Sequence, residues 1–187
     1  MVQYFSVGYS DSPLAYKITS DCPYSVISEY YFQDEDLHYL DLPFRIVKGI
    51  KDADKISWYR DLSTKFYSSR FVNVLKQFEN LEKCYYPISI IGTDQIYWFP
   101  LFPKFKSIKL INLDKLRDNK EPGFFIFDNE TPDVFLIWHT RVIAFSEKVK
   151  NELDKLKLKN VKFSECYYGV ESIEEYERLR SIIKIEE

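Results

Sequence analysis

Glycine is scarce in this sequence, and its five glycines are far apart. They lie at positions 8, 49, 92, 123 and 169, so at least thirty residues separate any two neighbours. Dinucleotide-binding turns, phosphate-cradling P-loops and the nucleophile elbow of α/β-hydrolases all need glycines within about six residues of one another. These three kinds of site are therefore excluded.

Histidine and cysteine are also sparse: the chain has His38 and His139, and Cys22, Cys84 and Cys166. Closed zinc sites show close ligand pairs such as C-x-x-C or H-x-x-x-H, and no such pair occurs, so we predict no metal and no cofactor. A nucleophilic cysteine with His139 as its base stays open as an alternative, since such partners meet only in space. Apolar and aromatic neighbours favour buried, unreactive thiols.

The sequence has no excess of basic residues and no long apolar run. Its 26 Lys and Arg against 29 Asp and Glu give a net charge of -3, which disfavours nucleic-acid binding through a general basic field. The start, MVQYFSVGYSDSP, has neither the basic region nor the apolar region of a secretory signal. Residues 84–103 are poor in charge but are interrupted by Asp94 and three prolines, which argues against a membrane helix. We expect a cytoplasmic protein that binds neither nucleic acid nor membrane.

Aromatic residues, by contrast, are plentiful, with 15 Tyr and 15 Phe. A chain of 187 residues is long enough to bury a core. We predict one domain over 1–187, made of a β-rich N-terminal extension (1–43), a core (44–167) and a C-terminal helix (168–187). Tyrosine in such numbers also favours a surface suited to protein contacts, because its side chain is amphipathic.

One sequence pattern occurs twice, 78 positions apart. The matched pairs are Ser68 and Ser146, Phe71 and Val149, Asn73 and Asn151, Leu75 and Leu153, and Phe78 and Leu156. In each copy a serine is placed to cap a helix, the matched apolar residues follow at spacings of three and four and are expected to be buried equally, and a strand comes next. An internal duplication of a helix–strand unit is one interpretation; chance likeness of two capped helices is the other.

The remaining segments are mostly β-like. The runs YFSVGY and FRIVKG predict strands, residues 84–103 predict two strands about a turn at 92–95, and DVFLIWHTRVIAFS predicts a hairpin with its tip near His139–Arg141. The segment KDADKISWYRD (51–61) is predicted to be a connection. The first of the two similar helices should end near Lys83, and a last helix is predicted over 172–183. The fold class is α+β, with a mixed, mostly antiparallel sheet and about three amphipathic helices.

Acids and tyrosines alternate in residues 29–41. The candidate partner-binding residues are Tyr30, Tyr31, Asp34, Glu35, Asp36, Tyr39 and Asp41. Tyrosine supplies rigid contact area and the carboxylates supply a negative field, a combination suited to a basic protein surface. In the alternative interpretation the tyrosines are ordinary strand residues and the acids solvate a turn.

The two Ser-x-x-apolar-x-x-x-Leu segments, with YYPISII, YWFPLF, GFFIFD, VFLIW and LKNVKF, resemble a family of bacterial immunity proteins from polymorphic-toxin systems. The likeness covers about residues 44–167. It implies a cytoplasmic protein that binds and inhibits a cognate secreted toxin and has no catalytic residues. The alternative is a small hydrolase-like enzyme whose site is assembled from acidic residues or from a Cys/His pair.

Overall fold

The computed structural model describes residues 3–8, 12–21, 44–59, 64–110, 123–124, 127, 130–138 and 140–168. Two α-helices lie in these parts of the chain, α1 (Ser69–Phe78) and α2 (Glu147–Lys155), and one 3-10 turn (Phe102–Lys104). The strands are β1 (Tyr4–Val7), β2 (Lys17–Ser20), β3 (Phe44–Lys48), β4 (Lys55–Trp58), β5 (Lys65–Ser68), β6 (Tyr85–Ile88), β7 (Ile90–Ile91), β8 (Tyr97–Pro100), β9 (Ser107–Ile108), β10 (Gly123–Phe124), β11 (Val134–Ile137), β12 (Ile143–Ser146), β13 (Phe163–Glu165) and β14 (Tyr167–Tyr168).

Most strands belong to two mixed sheets. One has seven strands in the order β6-β8-β5-β4-β2-β3-β7, and the other has five in the order β13-β1-β12-β11-β9; β10 and β14 form a separate pair. Both helices pack in the core that the two sheets share, through buried Phe71 and Leu75 of α1 and Val149 and Leu153 of α2. The opposite face of each sheet carries its own apolar cluster. The α+β class is therefore confirmed.

Each sheet contains a β-hairpin that leads directly into a helix. The first hairpin–helix unit is β4, β5 and α1, and the second is β11, β12 and α2. The strands pair in the same register: Lys55, Ile56 and Ser57 face Tyr67, Phe66 and Lys65 in the first, and Val134, Phe135 and Leu136 face Phe145, Ala144 and Ile143 in the second.

An aspartate before each hairpin holds the serine at its end. The Ser68 hydroxyl donates to the Asp54 carboxylate at 2.6 Å, and the Ser68 N–H donates to the Asp54 carbonyl at 2.9 Å. Ser146 makes the same two bonds to Asp133, with 2.9 Å between the backbone atoms. A hydrogen bond to a charged group contributes about 1.5–3 kcal/mol, so these contacts fix the point at which strand becomes helix.

The likeness extends to the flanking strands. The order β6-β8-β5-β4-β2 in one sheet matches β13-β1-β12-β11-β9 in the other. β2 runs parallel to β4 as β9 runs parallel to β11, and β6 and β13 each pair antiparallel with the next strand. The strand β8 follows the first unit and joins its sheet, whereas β1, the first strand of the chain, joins the sheet of the second unit. β3 and β7 have no counterpart among the strands of the five-stranded sheet.

Several local predictions are confirmed. In residues 84–103, β6 and β8 pair antiparallel about the predicted turn, although the short β7 between them pairs with β3 and was not predicted. β11 and β12 form the predicted hairpin. Phe71, Leu75, Val149 and Leu153 are fully buried. Phe78 and Leu156, expected to be equally buried, are half-buried because each lies at the end of its helix.

Three local predictions are wrong. The supposed connection at 51–61 contains β4, whose four residues are all buried in the middle of the seven-stranded sheet. Helix α1 ends at Phe78 rather than near Lys83, because Glu79 takes an extended conformation. Ser146 occupies the N-cap position of α2, but its hydroxyl accepts no hydrogen bond from the helix. Ser68 caps α1 as predicted, since its hydroxyl accepts from the Phe71 N–H at 3.3 Å.

The terminal segments have different outcomes. β1 and β2, within the predicted N-terminal extension, are pairing strands of the two sheets. The predicted last helix at 172–183 lies outside the described residues.

Candidate protein-interaction surface

The predicted partner-binding residues lie outside the parts of the chain that the structure describes. These are Tyr30, Tyr31, Asp34, Glu35, Asp36, Tyr39 and Asp41. Their place in an interface therefore stays a prediction. Described residues at the tip of the β11–β12 hairpin form a second candidate surface.

This tip is a hydrogen-bonded turn. The backbone N–H and hydroxyl of Thr140 both donate to the Ile137 carbonyl, at 3.0 and 2.6 Å, and the Thr140 hydroxyl accepts from the Val142 N–H at 3.1 Å. The Ile137 N–H donates to the Val142 carbonyl at 3.0 Å and closes the turn. Because the strands below it are buried and paired, the tip presents its side chains from a fixed backbone.

Trp138 is the principal apolar group at this tip. Its side chain is 37% exposed, and the Lys109 amine lies 4.3 Å from its ring centroid. Such a cation–π contact favours this orientation of the ring by about 0.5–1 kcal/mol. The backbone N–H of Trp138 donates to the Ile108 carbonyl at 2.9 Å, which anchors the residue to β9. The equivalent residue of the first hairpin, Tyr59, is 52% exposed and donates to Ile18 in the same way, at 2.8 Å.

Exposed basic side chains lie at the tip and on or next to β9, and that of Lys109 contacts the Trp138 ring. Lys106, Lys109 and Arg141 are exposed. Tryptophan and arginine are the residue types most often found at the energetic centre of protein interfaces. We define Lys106, Lys109, Trp138, Thr140 and Arg141 as the tip surface. Its charge is opposite to that of the acidic segment at 29–41.

A cavity of about 60 Å³ lies beside the tip, between the two sheets. Its ionisable lining residues are Lys65, Tyr67, Tyr85 and Arg141, and its described lining contains no carboxylate, histidine or cysteine. Such a volume accommodates only a few water molecules. The cavity therefore does not have the size of a substrate pocket.

The described thiols are protonated at neutral pH. Burial raises the pKa of Cys84 to about 11, against a smaller lowering by Lys104, and burial raises the pKa of Cys166 to about 12. The Cys84 thiol donates to the Lys104 carbonyl at 3.1 Å. Because the thiolate is the nucleophile, this environment disfavours catalysis by either residue. Cys22 and His139 lie outside the described residues.

The described residues contain neither a cluster suited to a metal ion nor a helix suited to a membrane. Among them, no group of three or more His, Cys, Asp or Glu side chains is arranged to hold a metal ion. None of the described helices is long and apolar enough to cross a membrane.

The tip surface is only partly evident from the sequence. The hairpin and its tip follow from β-propensity, but Trp138 lies in the apolar run VFLIW and looks like a core residue. Lys109 and Trp138 are 29 positions apart and meet because β9 pairs with β11. No sequence signal indicates that parallel pairing.

The sequence matches no protein-family model and no curated protein.

Proposed function

We propose that this protein is a cytoplasmic immunity protein that binds a cognate secreted bacterial toxin and inhibits it without catalysing a reaction. The observation that carries the proposal is the tip surface, where exposed Trp138 is held by Lys109 on a hydrogen-bonded hairpin next to Arg141. A rigid aromatic anchor with neighbouring cations is suited to binding a protein, because little conformational entropy is lost on association.

The sequence resemblance supports the same class of function. The two Ser-x-x-apolar-x-x-x-Leu segments that carry it are the starts of α1 and α2, where Ser68 and Ser146 are each bonded to an aspartate. In an enzyme of the alternative class, acidic residues or a Cys/His pair would have to form a cleft. The buried, protonated Cys84 and Cys166 weigh against the thiol form of that alternative.

We also infer that the chain is an internal duplication. The two halves, β1 to β6 and β8 to β13, have equivalent strand order, hairpin register and Asp–Ser bonds. Each half contributes its first strand, β1 or β8, to the sheet of the other half. Such reciprocal exchange is expected if the ancestral unit was a strand-swapped dimer that was later joined into one chain.

Co-expression with the neighbouring gene product tests the proposed function. A gene for a large secreted toxin should lie directly before the gene for this protein, and expression of its toxic domain alone should arrest growth. We expect this protein to restore growth and to co-purify with the toxic domain as a complex of fixed stoichiometry. The Trp138→Ala, Arg141→Ala double variant should bind about tenfold more weakly, and a Lys148→Ala variant, also exposed, serves as the matched control. Absence of both rescue and complex would contradict the proposal.

A further inference from the structure

The outer edge of β9 in the five-stranded sheet corresponds to the edge of β2 that pairs with β3 in the seven-stranded sheet. β2 and β9 lie in the same place, parallel to β4 and β11 respectively, and their carbonyls at Ile18 and Ile108 accept equivalent bonds from Tyr59 and Trp138. On the outer side of β2 lies β3, paired antiparallel with it. On the outer side of β9 no strand lies among the described residues.

The backbone of β9 is oriented to accept such a strand. The Lys106 and Ile108 carbonyls accept from the N–H groups of Leu136 and Trp138, both at 2.9 Å. Because strand residues alternate in direction, the N–H and C=O groups of Ser107 and Lys109 point away from β11. In β2 the residues at these two places, Lys17 and Thr19, face Lys48 and Arg45 of β3. An open edge of this kind is a template for an extended chain.

We propose that the β9 edge binds an extended segment of a partner protein as an added antiparallel strand, with aliphatic and acidic residues in alternation. The partner's identity as a toxin rests on the proposed function, whereas the strand site rests on the backbone geometry of β9. The bound segment would extend the five-stranded sheet as β3 extends the sheet at β2.

The alternation follows from the two faces of β9. Ile108 and Leu110 pack against the apolar cluster that contains Phe135 and Ile137. A residue beside Ile108 is therefore aliphatic, as Ile46 is beside Ile18.

The other face of β9 is basic. Lys109 is exposed on it beside the Trp138 ring. At the place equivalent to Arg45 of β3, an acidic residue would form an ion pair with Lys109.

A modified β3 peptide is a suitable probe. It spans residues 42–49 and carries Arg45→Glu and Lys48→Glu, so its apolar residues are those of β3 and its charged residues are acidic. Titrated to millimolar concentration into the isotope-labelled full chain, it should shift the amide resonances of Ser107 and Lys109. At ten times the dissociation constant it should slow the exchange of these amides about tenfold. The unmodified peptide should bind about tenfold more weakly, because its charges repel Lys109.

A proline variant separates backbone pairing from side-chain contact. Ser107→Pro removes an outward N–H without removing a bond to β11, so it should abolish the shifts, while Ser107→Ala should retain them. Lys109→Pro, compared with Lys109→Ala, tests the same point if Ser107→Pro does not fold. An unperturbed β9, or equal binding by the proline and alanine variants, would overturn the proposal. Because no toxin is used, this result is independent of the co-expression result.

Discussion

At the scale of single residues, the buried thiols make stability depend on alkaline pH. Burial raises the pKa of Cys84 from 9.0 to about 11 and that of Cys166 from 9.0 to about 12. In the unfolded chain the thiols ionise above pH 9, whereas in the folded chain they remain protonated. Their contribution to stability is therefore fully present below pH 9 and is lost as the pH rises toward 11 to 12.

We expect the free energy of unfolding to fall by roughly 1 kcal/mol per thiol between about pH 8 and pH 10, because each unit of pKa difference corresponds to about 1.4 kcal/mol. Urea unfolding at the two pH values measures it. The Cys84→Ala, Cys166→Ala double variant should lose most of this pH dependence. An unchanged dependence in the double variant would assign it to other groups, such as Tyr97, whose pKa burial raises to about 12.

At the scale of elements, the two hairpin–helix units should respond alike to mutation. Leu75 and Leu153 are both fully buried in the core between the sheets. Replacing either by alanine should cost about 2–5 kcal/mol, the usual range for a core leucine. Chemical denaturation of the two variants measures the loss. Losses well under about 1 kcal/mol for both variants would show that the apolar faces of α1 and α2 do not form the core.

The matched controls are Asn73→Ala and Asn151→Ala. These two asparagines occupy equivalent, exposed positions on α1 and α2. Each should change the free energy of unfolding by less than about 0.5 kcal/mol. A loss at Asn73 comparable to that at Leu75 would show that burial does not explain the cost of the leucine replacements, because alanine has a higher helix propensity than asparagine.

The sequence allowed the helices to be predicted better than the central strands. Apolar spacing at three and four identifies α1 and α2 because only one face of each is buried. In β4 the polar Lys55 and Ser57 alternate with apolar residues and look like surface residues, yet all four residues are buried because both faces of the strand are covered. The Lys55 side chain is fully buried, and its amine donates to the Gly8 carbonyl, at 2.8 Å, just beyond β1. Such a partner is distant in sequence and leaves no local pattern.

The sheet that each strand joins also lay beyond sequence reasoning. The placement of β1 beside β12 and of β8 beside β5 depends on which of several β-like segments pair, and local propensity does not specify pairing. The likeness of the two segments was visible because 78 positions separate Ser68 from Ser146 and equally separate Tyr85 of β6 from Phe163 of β13. The tip surface could be predicted from the sequence only in part, because Lys109 and Trp138 are brought together by the β9–β11 pairing.

At the scale of the whole molecule, two surfaces of opposite charge are candidates for partner contact. The tip surface is basic, whereas the segment at 29–41 carries Asp34, Glu35 and Asp36 beside Tyr39. A toxin that acts on nucleic acid or nucleotides needs a basic cleft to hold phosphate, and the acidic segment is suited to fill it. The tip surface and the β9 edge are suited to an acidic strand elsewhere on the same partner.

The Asp34→Ala, Asp36→Ala, Tyr39→Ala triple variant tests the acidic segment. We expect the dissociation constant for the toxin to rise at least about tenfold, which corresponds to about 1.4 kcal/mol. The loss should be larger at low salt, because removing two carboxylates reduces long-range attraction to a basic cleft and slows association. Calorimetric titration at two salt concentrations, with the folded state of the variant verified by circular dichroism, measures both effects. An unchanged dissociation constant would exclude the segment from the interface and leave the basic tip surface as the site of binding.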